Sequence, residues 1–173
     1  MLAAPAGTMD VGLQAGLMHA QQSDSPENEQ PAAVDEQIGG LHQAEVQLFR
    51  LANEDRRQSG LDPLRFDDDL VAVARARASE QTVASGLSHV DASGGVAFAS
   101  LMEAAGVSAP IAGEALVWVS GPEPELVPFA HELLVHSESH RALLLDPRFT
   151  YLAVGGVAST PTQMVFAQIF SAR

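Results

Sequence analysis

Apolar residues recur at helical spacing from Leu41 to Ser59, where Leu41, Ala44, Leu48, Leu51 and Ala52 share one stripe and Gly60 supplies a stop. Pro63 marks a turn, and Leu64 and Phe66 form a short apolar anchor. The acidic cluster Asp67–Asp69 suits the first turn of a second helix, which carries Leu70, Val73, Ala74, Ala78 and Val83 inward until Gly86. LSHVDASGG reads as loop, and a third helix runs from about Val96 to Ala105, closed by Gly106. IAGEALVWVS is a short apolar run that periodicity alone leaves open between strand and helix. PELVPFAHELLVH predicts a fourth helix with Leu126, Phe129, Ala130, Leu133 and Leu134 inward. LAVGGVAS and QMVFAQIFS, joined by TPT, predict a terminal antiparallel hairpin. Helices followed by a hairpin indicate an α+β fold, with helices packed on a small sheet. No internal repeat is visible.

Residues 21–36 (QQSDSPENEQPAAVDE) are acidic and proline-interrupted, with almost nothing to bury, so residues 1–37 read as tail and linker and 38–173 as one domain. The first twenty residues are mildly apolar, lack a basic start and are interrupted by Asp10. Two readings stay open for them: a disordered tail, or the remains of a secretion signal ending near LMHA. No apolar run reaches the ~18 residues of a membrane span.

At 173 residues the chain suits one domain, and 46 % hydrophobic content can fill a core. The net charge of −13 argues against nucleic acid or an anionic membrane as a partner. Cysteine is absent, which excludes disulfides, a thiol nucleophile and thiolate metal sites.

Candidate chemistry concentrates in HELLVHSESHR, which holds His131, His136 and His140. A zinc-protease helix needs histidines four residues apart; His131 and His136 are five apart, about 140° around a helix, and diverge. His136 and His140 have a compatible spacing if the helix runs straight through SES. Ser137 and His140 could touch as an i, i+3 pair, but no glycine-flanked elbow surrounds the serine. Local spacing therefore settles little.

Taken together and in order, the fragments resemble a bacterial domain of the CAP superfamily, the group of cysteine-rich secretory, antigen 5 and pathogenesis-related 1 proteins. LFRLANEDRRQSGLDPLRFDDDLVAVARARASEQ is similar to an opening N-x-x-R-x-x-x-G, PL and D-x-x-L-x-x-x-A pattern. SHVDASGG is similar to H-x-D-x-x-G, and GEALVWV to G-E-N-I-A. SESHRALLLDPRFTYLAVGG resembles S-P-G-H-R-x-N-I-L-(N/D)-P-x-F-x-x-x-G-V-G, and MVFAQIF the closing strand.

The resemblance implies a three-layer α–β–α sandwich with a small, mainly antiparallel sheet and one open cleft. Carried over by position, the cleft residues are His89, Glu114 and His140, with Ser137 where animal and plant members have a second glutamate, and Arg141 alongside. His89 and His140 are the expected metal ligands; Zn²⁺, with Zn–N of about 2.0–2.1 Å, or another divalent cation is the expected cofactor. Glu114 has three open roles: third ligand, acceptor behind an imidazole, or general base on a bound water. A network that merely ties loops together competes with all three. His131 and His136 match no cleft position and are expected in solvent. Arg141 is expected to pair with Asp146 or to face an anion, and Phe98, Phe129 and Phe149 to sit in the core.

The chain departs from the pattern at Ala115, where the family has asparagine; the expectation is a lost hydrogen bond behind Glu114. Leu134 stands for a tryptophan. The implied role is a secreted or cell-envelope module, monomeric, binding an envelope ligand, lipid or protein. The alternatives are a metal-assisted hydrolase using the same cleft, with Glu114 as the one catalytic candidate, and a purely structural interaction module.

Overall fold

The computed structural model describes residues 43–83 and 86–173. Leu41 and the expected tail lie outside the described residues. Among the described residues five helices and four strands follow in the order α1 (Gln43–Gln58), β1 (Arg65–Phe66), α2 (Asp68–Val83), α3 (Ala97–Ala104), β2 (Ile111–Ser120), α4 (Glu123–His136), α5 (Glu138–Leu144), β3 (Tyr151–Thr160) and β4 (Gln163–Ala172). IAGEALVWVS is thus a strand, which its β-branched and aromatic residues favour.

The sheet order is β1-β3-β4-β2, with β3, β4 and β2 antiparallel and only the short β1 parallel to β3. β3 and β4 form the expected hairpin, and β2 is an edge strand. Side chains alternate across the sheet. Ala115, Val117, Val119, Leu152, Val154, Phe166 and Phe170 face α1 and α4 through Leu48, Phe49, Ala52, Leu126, Ala130 and Leu134. On the other face Ala153 and Ile169 meet Leu70, Val73, Ala74 and Met102, while Leu116, Val165 and Ala167 meet Ala78. This is the three-layer sandwich. Gly155 lets β3 and α2 approach closely, because a Cβ there would collide with the backbone of Ala74 and Arg75 on α2.

Buried polar groups fasten the layers. Asn53 accepts from Leu64 N (2.7 Å) and donates to Leu64 O (3.0 Å), holding the chain before β1 against α1. Arg56 donates to the carbonyls of Asp62, Leu144, Asp146 and Phe149. Glu45 accepts from Arg75 (2.9 and 2.7 Å) and from Gly156 N (2.9 Å).

Three expectations about burial are corrected. Phe129 and Leu133 are exposed, because α4 buries Leu126, Val127, Ala130 and Leu134, where the small Ala130 lets the helix sit close. Val83 ends α2 beyond the sheet and is exposed. Ala115 lies on the sheet face opposite Glu114, inside the apolar core, so its replacement of asparagine removes nothing from behind the glutamate.

Candidate functional site

Glu114 is built in at the edge of the sheet, on the α2 side of β2, with its side chain almost fully buried. A carboxylate there needs a cation, and Arg77, one of the most buried residues of α2, provides it. Its Nε donates to Glu114 Oε1 at 2.6 Å and its Nη2 to Oε2 at 3.2 Å. Nη2 also donates to the carbonyl of Ser88 at 2.5 Å, and Nη1 binds Glu80. Burial works against the guanidinium's charge, but the bonds to Glu114 and then Glu80 override it and hold the group above its ordinary value. Gln81, one turn on, accepts from Ser88 N at 2.8 Å. The loop after α2 is thereby clamped to α2 just before His89.

His89 closes the chain of contacts. Its Nδ1 lies 2.7 Å from Glu114 Oε2. A carboxylate already held by a guanidinium only accepts, so Nδ1 carries a proton, and the neutral tautomer this selects has its lone pair on Nε2. The His140 ring stands 6.4 Å from the His89 ring, centre to centre, at 62°. His140 reaches this point because the helical run breaks at Ser137 (φ −81°, ψ 120°), which ends α4 and starts α5 in a new direction. α5 packs close to the edge strand at Gly113, where a Cβ would come within 2.7 Å of Leu143 Cδ2 and push that side chain aside. Burial, then the neighbouring His89, lowers the His140 pKa, favouring a neutral imidazole with a nitrogen lone pair to offer.

His89, Glu114 and His140 therefore meet, from the α2–α3 loop, the edge strand and α5. Both Glu114 oxygens are taken, by Arg77 and His89, so of its three open roles the geometry matches the acceptor that orients an imidazole. Among the described residues no group of three or more His, Cys, Asp or Glu side chains is arranged to hold one metal ion. The arrangement can offer two imidazole nitrogens, one of them braced by a carboxylate.

No hydrogen bond or ion pair joins the Ser137 or Arg141 side chain to this trio among the described residues. The hydroxyls of Ser137 and Ser139 bond one another at 3.2 Å. Arg141 lines a depression with Asp55, Gln58, Ser59, Val135 and His136. It does not pair with Asp146, whose carboxylate is taken by Arg148 two residues on and is held at about 2 by those bonds. His131 is not free in solvent: Nε2 lies 3.0 Å from Asp55 Oδ2, tying α4 to α1. His136 is exposed, its Nδ1 donating to Glu132 O at 2.8 Å.

Arg77 and Gln81 escaped the sequence reading. The signal was present: Leu70, Val73, Ala74, Arg77, Ala78 and Gln81 fall on one helical face, so an arginine and a glutamine occupy inward positions. A buried arginine needs buried acceptors, either an acid, as here, or a set of backbone carbonyls, as at Arg56.

The profile of the cysteine-rich secretory protein (CAP) family matches residues 49–170. The chain belongs to that family. It is 31 % identical over 115 residues to protein YkwD of Bacillus subtilis, across 66 % of this chain and 43 % of the relative. An extracellular SCP-domain protein of Bacillus anthracis superposes with a TM-score of 0.63 at 25 % identity, covering 75 % of this chain and 40 % of that one. An outer surface protein of Borrelia burgdorferi shares the fold (TM-score 0.59, 21 % identity), over 73 % of this chain and 90 % of that one. The chain spans less than half the length of the two Bacillus proteins. It is a CAP domain of bacterial type.

Proposed function

We propose that this CAP domain is the ligand- or partner-binding module of an exported protein at the bacterial cell envelope. In this reading its cleft takes one divalent cation, Zn²⁺ in the first instance, between His89 and His140. The observation that carries the reading is the contact of His89 Nδ1 with Glu114 Oε2, which leaves Nε2 as the donor atom beside His140. A carboxylate behind a histidine in this manner fixes the ring and raises its basicity as a ligand. The residues fit an open two-nitrogen site better than a closed structural one, which takes four protein ligands. A bound cation would supply Lewis acidity and open coordination positions for an oxygen-bearing ligand. The envelope location is supported by the relatives described as extracellular or outer surface proteins.

Titration of Zn²⁺ into the wild type, His89→Ala and His140→Ala, by calorimetry and thermal shift, tests the reading. The expected result is one ion per wild-type chain, a raised Tm, and affinity at least about tenfold weaker in each variant. Equal and negligible binding in all three would end the metal reading.

A further inference from the structure

We propose that the junction of α1, α4 and α5 carries a second binding site, separate from the His89–His140 cleft. Its ligand is a carboxylate carried next to a small aliphatic group, the chemistry of a peptide's C-terminal residue. Two adjoining depressions of about 410 and 510 Å³ share Val135, His136, Arg141 and Leu145. Arg141 is the cation common to both.

The chain has 22 acidic residues against nine arginines, so an arginine readily finds a partner. Arg56, Arg75, Arg77, Arg148 and Arg173 are bonded to carbonyls or carboxylates, and Arg65 lies over the Tyr151 ring. Like the exposed Arg57, the Arg141 side chain has no ion pair or hydrogen bond among the described residues, although Glu138 lies one turn earlier on the same helix and lines the second depression. What sets Arg141 apart is the pair of depressions it lines. Asp55 also lines the first depression, and His131 engages its carboxylate at 3.0 Å, which tempers its repulsion of an anion. A guanidinium with all its donors available matches a carboxylate in two parallel bonds.

The rest of the lining adds selectivity. Val135 and Leu145 offer apolar contact beside the guanidinium, and His136 is held in place through its bond to Glu132 O. The net charge of −13 disfavours a bare anion at long range, so the aliphatic contact has to contribute to affinity. Positions 140 and 141 of a helix diverge by about 100°, which puts His140 and Arg141 on different faces of α5.

The test is an NMR titration of the full chain, ¹⁵N-labelled to include the arginine side chains, with three probes: N-acetyl-leucyl-leucine, its C-terminal amide, and inorganic phosphate. The acid is expected to shift Arg141, Val135 and Leu145 signals saturably, and the amide and phosphate at least tenfold more weakly. Arg141→Gln should abolish the response at unchanged Tm, and His136→Ala should keep it in part. Binding of the acid must survive in His89→Ala and His140→Ala, which separates this site from the cleft. Equal shifts with acid and amide, phosphate binding as tight as the acid, or an undiminished response in Arg141→Gln would each overturn the proposal.

Discussion

Arg56 and Arg77 are buried alike, at 2 % and 1 % exposure, yet they are used in opposite ways. Arg56 spends its guanidinium on four backbone carbonyls from the α1–β1 turn and the α5–β3 connection. No carboxylate touches it; burial pulls its pKa down, and the more distant Asp146 and Asp62 only partly oppose this. Arg77 spends its guanidinium on the carboxylates of Glu114 and Glu80 and on one carbonyl, that of Ser88, and its pKa is raised. The first arginine closes loops that would otherwise bury unpaired carbonyls. The second makes a buried glutamate tolerable, and that glutamate orients His89. One is a fastening of the fold; the other is a fastening of the site, although sequence and burial make them look equivalent.

If that contrast holds, Arg56→Met should cause the largest loss of stability. It strands carbonyls at about 1 kcal/mol or more each, so about 4 kcal/mol in total and a Tm lower by ~10–20 °C are expected. Zn²⁺ affinity of the still-folded fraction should be unchanged. Arg77→Met comes next, at about 3 kcal/mol, because it leaves Glu114 buried and unpaired. Here a second change repairs the first: Arg77→Met with Glu114→Leu should recover most of the stability, since replacing a whole buried pair by apolar groups is often neutral. The double variant should still lack the wild-type Zn²⁺ affinity. No single partner exists whose deletion would rescue Arg56→Met. Denaturant melts of the four proteins decide this, and a double variant no more stable than Arg77→Met would break the comparison.

The fold was legible because its signals are local or ordered along the chain. Gly60 and Gly106 end helices at positive φ where the pattern stopped, and the hairpin of β3 and β4 lies where alternation placed it. His89, Glu114 and His140 could be named only through the family pattern, since 25 and 26 residues separate consecutive members and no spacing rule joins three elements. What stayed hidden was orientation. The stripe of α4 is rotated from the one expected, because Val127 and Ala130 pack inward while the larger Phe129 and Leu133 face solvent. The environment of Ala115 was misjudged because strand alternation, not adjacency to Glu114, decides what a neighbour touches.

A milder change tests the site half of the comparison without disturbing the fold. Glu114→Gln keeps a side chain of the same shape between Arg77 and His89, so the stability loss should be about 1–2 kcal/mol. Its amide also weakens the hold on the His89 Nδ1 proton, and Zn²⁺ affinity should fall about 10–100-fold. Calorimetry on a variant with a near-native melt measures this directly. Unchanged affinity would leave Glu114 a structural tie alone.

The smallest effect is electrostatic and concerns His140. Burial, and secondarily His89, holds its pKa below the ordinary 6.5 in the folded chain. Around and below pH 6.5 the unfolded chain therefore binds a proton that the folded chain refuses, and stability rises with pH across that window. The contribution of His140 is complete above pH 6.5 and is lost as the pH falls through its folded value. Wild type and His140→Gln should differ in the slope of stability against pH below 6.5, the variant being flatter. His89→Ala removes the secondary cause, so the His140 ring followed by NMR should titrate at a slightly higher pH than in the wild type. A His140 that titrates at 6.5 in the folded wild type would mean that its ring is as well solvated as a free one, and the second arm of the cleft would lose its preference for the neutral, ligand-ready form.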